Sequence, residues 1–233
     1  MLKERVRADS SLLERPPWSA LTTMHASFAL GNNLARRYRP DVAPMAAVRE
    51  VSEQSLQALH AVMRPGDVVG LFDARPVAGA GLDVIVHKTI EQMVHEGDVP
   101  SSAGNDHEVL TAADVPAMMA LVELTRPGPF APRAIELGSF IGIRSGGGLI
   151  AMAGERMRFD GFTEISAVCT HPAHQRRGLS SALVRDLIRS ISGRGETPFL
   201  HIYSDNTRAA SLYERLGFVR RRSLTVTVLR RPN

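Results

Sequence analysis

Gln175-Arg-Arg-Gly-Leu-Ser180 lies between an apolar strand pattern and an amphipathic helix pattern. Upstream, Phe162-Thr-Glu-Ile-Ser-Ala-Val-Cys-Thr170 is rich in β-branched and small apolar residues and ends at His171-Pro172. Downstream, Leu179, Leu183, Val184, Leu187, Ile188 and Ile191 recur at helical spacing. A strand that ends in a basic, glycine-containing turn and opens a helix gathers several unpaired backbone N–H groups at one point. The helix dipole adds a positive field, which Arg176 and Arg177 reinforce. Such an arrangement suits a pyrophosphate.

A second segment stands about 25 residues further on. Pro198-Phe-Leu-His-Ile-Tyr203 reads as a strand, Ser204-Asp205-Asn206 as a turn with a helix cap, and Thr207–Leu216 as a helix. Taken together, the two segments resemble the GNAT superfamily of N-acetyltransferases. The family's later signature, Asn-x-x-Ala-x-x-Leu-Tyr-x-x-Leu-Gly-Phe, is matched by Asn206, Ala209, Leu212, Tyr213, Leu216, Gly217 and Phe218. Its acyl-CoA motif, Gln/Arg-x-x-Gly-x-Gly/Ala, is matched except at the last position, where Ser180 stands.

Composition is that of an ordinary soluble globular chain with room for a sizeable core in its 233 residues. No apolar run approaches the ~20 residues needed to cross a bilayer, and the first residues lack the apolar stretch of a secretory signal. A single cysteine, Cys169, excludes an internal disulfide and a cysteine-rich zinc motif. A cytoplasmic location without membrane association is the expectation. The net charge of +4 comes from arginine, since Lys3 and Lys88 are the two lysines. Arg220-Arg-Arg222 and Arg230-Arg231 have few aromatics beside them and no nucleic-acid motif, so they read as solvated charge and no nucleic-acid partner is expected. Gly79-Ala-Gly81 lacks the context of a dinucleotide fingerprint. Gly146–Gly148 reads as a hairpin tip.

Pro100-Ser-Ser-Ala-Gly-Asn-Asp106 is the clearest linker, dividing the chain into 1–105 and 106–233. In the first part a helix is predicted over Ser52–Met63, with strands at Val68–Phe72, Leu82–Val86 and Gln92–His95. In the second, Thr111 caps a helix over Ala112–Leu124, and Arg126–Pro132 is a proline-broken loop. A hairpin follows at Phe140–Arg144 and Leu149–Glu155. Next come the strand to Thr170, a helix from Gly178, a strand, a helix and a last strand, Leu224–Leu229. Its alternation of apolar residues and threonine suggests an exposed pairing edge and hence a homodimer.

This element order is that of a GNAT fold over residues 107–233. The resemblance implies an α+β fold with a mixed, mostly antiparallel central sheet, preceded by a smaller α/β half. The layout is similar to two-part members related to glycine N-acyltransferases, in which a degenerate N-terminal half packs against the catalytic C-terminal half.

The resemblance also implies chemistry. Acetyl-CoA would be the donor and CoA the product, with a primary amine on a small molecule or peptide attacking directly in a ternary complex. No metal is implied. Backbone groups of Val168, Cys169 and Thr170 would pair with the pantetheine amides. Gln175, Arg176, Arg177, Gly178, Leu179, Ser180 and Ser181 would hold the pyrophosphate, and Asn206 would contact the pantetheine arm, a role compatible with capping its helix. Tyr213 is either the general acid toward the thiolate or an aromatic residue of a buried helix face. Glu164, on a face that alternation shares with Ser166, Val168 and Thr170, is a candidate general base. His201 is the other. Each could instead be a hydrogen-bonded strand residue. Cys169 reads as a core residue rather than a nucleophile. A CoA-binding sensor without efficient transfer is the alternative function.

Overall fold

The computed structural model describes residues 9–73, 75–101 and 107–233. Residues 102–106 of the expected linker lie outside the described residues. In chain order the elements are α1 (Pro16–Thr22), β1 (Ala29–Gly31), β2 (Ala35–Tyr38), β3 (Met45–Val48), α2 (Glu53–Val62), β4 (Val68–Asp73) and β5 (Asp83–His95). Then follow β6 (Glu108–Val109), α3 (Val115–Thr125), β7 (Phe140–Ser145), β8 (Gly148–Phe159), β9 (Phe162–Thr170), α4 (Leu179–Gly193), β10 (Thr197–Tyr203), α5 (Thr207–Arg215) and β11 (Phe218–Arg230).

Local chemistry sets most boundaries. Ser52 accepts a hydrogen bond from the Ser55 amide and caps α2. Thr111 and Asp114 form a capping box at a short 3-10 turn that leads into α3. Arg126, with φ of 48°, ends α3 in the left-handed region, just before the prolines. Gly146 and Gly147, both with positive φ, turn the β7–β8 hairpin.

The strands form one sheet in the order β1-β2-β3-β4-β11-β5-β10-β9-β8-β7-β6. The β3–β4 and β9–β10 pairs are parallel and the other neighbours antiparallel, giving the expected mixed, mostly antiparallel sheet. Helices α4 and α5 bury Leu183, Leu187, Ile191, Ala210 and Tyr213 against one face, with Met93, Ile165 and Leu200 beneath them. The other face packs under α1, with Tyr38, Phe159 and Phe199, and under α3, with Met118, Met152 and Cys169.

Three expectations change. The segments Leu82–Val86 and Gln92–His95 belong to one strand, β5, because Asp83 to His95 pairs along the length of β11. The last strand is no edge: β11 lies between β4 and β5 and pairs with both, so the argument for a homodimer through it falls. Its alternation reflects two covered neighbours in the sheet, which periodicity alone cannot distinguish from one. And β5, from the first part of the chain, inserts between β11 and β10 of the second, so the sheet has no break at residue 105.

Gly217 shows how tightly that insertion is made. Its carbonyl accepts from the amides of Glu96 and Gly97, its φ is 88°, and a Cβ on it would stand 2.9 Å from the Gly97 Cα. Gly217→Ala should lower the urea unfolding free energy by ~1–3 kcal/mol from strain at positive φ alone. Unchanged stability would show that this backbone approach is not a constraint.

Candidate active site

The parallel ladder between β9 and β10 is short. Phe162, Thr163 and Glu164 stand in register with Thr197, Pro198 and Phe199. Beyond those three pairs, both strands run on, to Thr170 and Tyr203, with no further register pair between them among the described residues. The edges that face each other there open a cleft through the sheet, of about 770 Å³, lined from both faces.

A bulge accompanies the opening. Gly154 and Met152 of β8 face Ser166 and Cys169 of β9, so Ala167 and Val168 together oppose Ala153. Ala167 has φ of 53°, which places it in the left-handed region. The extra residue reverses the facing of everything after it: Ile165 and Val168 both pack toward α4, whereas Ala167 and Cys169 pack toward α3. The expected shared face of Glu164, Ser166, Val168 and Thr170 is therefore broken at the bulge, since strict alternation assumes an unbroken pleat.

On the α4 side, Gly178 is the N-cap, with φ of 76°. The first helical bond runs from the Ala182 amide to the Gly178 carbonyl at 3.0 Å, leaving the amides of Leu179, Ser180 and Ser181 without intrahelical acceptors. A Cβ on Gly178 would meet nothing within 4 Å, so the glycine serves backbone conformation and leaves open space before the helix end. Arg176 is also left-handed, with φ of 60°. Ser180, the departure from the family motif, shares a 2.8 Å hydroxyl–hydroxyl hydrogen bond with Thr170 and so ties the helix start to the end of β9.

Val168, Cys169, Thr170, Gln175, Arg176, Gly178, Leu179, Ser180, Ser181, His201, Asn206 and Tyr213 all line the cleft. Arg177 does not; its guanidinium lies 2.9 Å from His174 Nδ1. Asn206 accepts from the Ala209 amide at 3.1 Å and caps α5. Burial pushes the Cys169 thiol up to about 11, which suits a core residue and not a thiolate.

Tyr213 is 8% exposed and packs edge-on against Phe218 at 5.7 Å. Burial raises its phenol above the usual range, so it keeps its proton at neutral pH. No hydrogen bond of its hydroxyl appears among the described residues, which leaves that proton available to a group in the cleft.

The two candidate bases form one cluster on the opposite face. Glu164 is fully buried and does not line the cleft. Its Oε2 and Oε1 accept from Arg156 Nε and Nη2 at 2.7 and 2.6 Å. Its Oε1 is also 2.8 Å from His201 Nδ1. Burial raises the carboxyl, but the Arg156 charge and the hydrogen bonds from Arg156 and His201 outweigh it and hold Glu164 at about 2.

Gln92, wholly buried, settles the state of His201. Its Oε1 accepts from Arg221 Nη1 at 3.0 Å, and its Nε2 donates to the Leu13 carbonyl at 2.9 Å, which fixes the amide orientation. The second Nε2 proton therefore points to His201 Nε2, 3.3 Å away. His201 Nε2 thus faces a donor and accepts, while Nδ1 carries a proton and donates to Glu164. Arg156 and Gln92 escaped the sequence reading. The available signal was the run Glu155-Arg-Met-Arg158 that interrupts the apolar pattern of β8, since charges on a largely buried strand need partners.

A family model described as FR47-like protein matches residues 140–227. N-alpha-acetyltransferase RimI of Mycobacterium tuberculosis (strain ATCC 25618 / H37Rv) is 37% identical over 84 residues, 35% of this chain and 52% of that protein. The chain thus spans about half the length of this curated relative. The crystal structure of a GNAT-family protein from Novosphingobium aromaticivorans DSM 12444 superposes with a TM-score of 0.89 at 38% identity, covering 95% of this chain and 99% of that one. A GCN5-related N-acetyltransferase from Kribbella flavida shares the fold, with a TM-score of 0.60 at 20% identity over 93% of this chain and 94% of that one.

Glu164→Gln would leave Arg156, half-buried at the cleft wall, without its counter-charge, and should cost ~1.5–3 kcal/mol at pH 7. Because the folded carboxyl sits below its unfolded value, its stabilisation is complete above pH ~4.5 and is lost as pH falls toward 2. Urea unfolding at pH 7 and pH 3 should therefore show a gap between wild type and variant that narrows at the lower pH. Equal stability at pH 7 would refute the ion pair.

Proposed function

The chain belongs to the GNAT superfamily of N-acetyltransferases, and we propose that it transfers an acetyl group from acetyl-CoA to a primary amine bound in the same cleft. The observation that carries this reading is the cleft itself. It joins a helix start with three free amides to a protonated phenol on one face of the sheet, and opens to a polar cluster on the other.

The residues present fit the donor. The amides of Leu179, Ser180 and Ser181, with the basic Arg176 beside them, would hold a pyrophosphate at the start of α4. The uncovered backbone of Val168, Cys169 and Thr170 would pair with an extended amide-bearing arm as an added strand would. When bound, acetyl-CoA supplies the thioester carbonyl that the amine attacks.

The remaining work falls to side chains. Tyr213 gives its proton to the departing sulfur, which needs a group that is neutral yet able to donate. We assign acceptance of the amine proton to His201, with Glu164 as its positioning partner. The unprotonated Nε2 must receive that proton, and the 3.3 Å contact from Gln92 must yield for it to do so. Nδ1 then carries its charge toward the Glu164 carboxylate at 2.8 Å. Arg156 keeps Glu164 ionised for this purpose, so the carboxylate stabilises an imidazolium rather than taking the proton itself.

Residues 1–105 supply β3, β4 and β5, which extend the sheet and wall the far side of the cleft. We propose that this half shapes the acceptor site and leaves donor binding to residues 106–233.

Thiol release and calorimetry test the assignment together. Tyr213→Phe should lower kcat by ~10²-fold or more with acetyl-CoA affinity retained. Gly178→Trp should abolish acetyl-CoA binding, by strain at positive φ and by filling the space before the helix. A Tyr213→Phe enzyme with undiminished turnover would remove the acid role. Wild-type protein that binds acetyl-CoA but transfers to no amine would favour a sensor.

A further inference from the structure

Resting on the acetyl-CoA reading above, we infer that the acceptor is a primary monoamine carried on an apolar body that bears no further positive charge. Polyamines and other polycations are thereby excluded.

The inference comes from the far wall of the cleft. Tyr203 of β10, Ile90 of β5 and Leu224 of β11 stand in register. Two residues along, Val226 pairs with Phe72 of β4, Val228 pairs with Gly70, and Gly70 pairs with Met45 of β3. Residues in register share a face, so this row continues the face that carries His201. The His201 and Phe72 rings meet edge-on at 5.3 Å, which makes the continuity direct. Met45, Gly70, Phe72, Ile90, Val226 and Val228 thus form an apolar trough leading away from the imidazole, and all six line the cleft.

Charge then decides what kind of amine fits. Among the described residues, the cleft's lining includes Arg126, Arg156, Arg176, Arg208 and Arg215, but no aspartate or glutamate. The carboxylate nearest the reacting region, Glu164, is sealed behind Arg156 and His201. Beside the trough, Lys88 holds its ammonium 4.7 Å over the Tyr203 ring and adds another positive charge. A second or third ammonium on the acceptor would enter an apolar trough with Arg156 and Lys88 near it and no counter-ion, at the cost of leaving water. An aliphatic or aromatic body instead gains by covering the trough. The amine that reacts must be neutral at the moment of attack, so it needs no carboxylate of its own.

The trough also has a built-in place to block it. Gly70 has ordinary backbone, and a Cβ there would stand 3.7 Å from Val226 Cγ1, 3.8 Å from the Pro44 carbonyl and 3.9 Å from Phe72 Cε1. A larger side chain at this position enters the trough from normal contact distance and leaves the start of α4 untouched.

The test is a competition of acceptors read by thiol release, with acetyl-CoA binding measured on the same samples. Phenethylamine and hexylamine should exceed spermidine in kcat/KM by ~10-fold or more. Gly70→Leu should raise the KM for phenethylamine by a similar factor, with acetyl-CoA affinity unchanged. Spermidine as the best acceptor overturns the inference, as does a Gly70→Leu enzyme with unaltered KM. Acetyl-CoA binding without turnover of either apolar amine also overturns it, while leaving donor binding intact. Absence of acetyl-CoA binding overturns the reading on which it rests.

Discussion

The early end of the parallel ladder between β9 and β10 is the constraint on which the rest of the structure depends. Two adjacent strands in a buried sheet ordinarily satisfy each other's backbone groups along their shared length. Here pairing ends at Glu164 and Phe199, and six further residues of β9 run on toward Thr170. The Ala167 bulge follows three residues further on, and the Arg156–Glu164–His201 cluster joins the last paired level, at Glu164, to His201 two residues past the end of pairing on β10. The charged cluster closes the paired part of the sheet with its own hydrogen bonds. The unpaired edges above it face open space, where an extended amide-bearing ligand can complete them.

The opening also explains why the two faces of the sheet carry different chemistry. Helices α4 and α5 bring a helix N-terminus and a buried phenol to one side. The other side has α1 over β3 and β8 and α3 over β8 and β9, which leaves the apolar surface of β4, β11 and β5 beside His201 without a covering helix. A reaction between a large polyanionic donor and a smaller amine calls for this kind of separation, with the reacting atoms meeting in the gap. Residues of β3, β4 and β5 therefore line the cleft together with those of α4 and α5.

Much of the side of the cleft built by β9, α4 and α5 was legible because its signals are local. The strand over residues 162–170, the glycine before α4, and Asn206 as the cap of α5 each follow from neighbouring residues and standard capping chemistry. The facing of residues after Ala167 was not legible, since a non-glycine residue in the left-handed region leaves no compositional trace. The central place of β11 was also hidden: a strand of alternating apolar residues and threonine looks alike at an edge and between two partners. Gln92 and Arg156 gain their meaning from contacts with residues 109 and 8 positions away, respectively. Spacing along the chain could not reveal either contact.

Amide hydrogen exchange with and without acetyl-CoA tests the central claim most directly, because it reads the unpaired backbone itself. Saturating acetyl-CoA should slow exchange in two separate stretches, 167–170 on β9 and 176–181 at the start of α4, and leave the paired residues 162–164 unchanged. Acetyl-CoA that binds without protecting those two stretches would contradict the account, whatever turnover the protein shows.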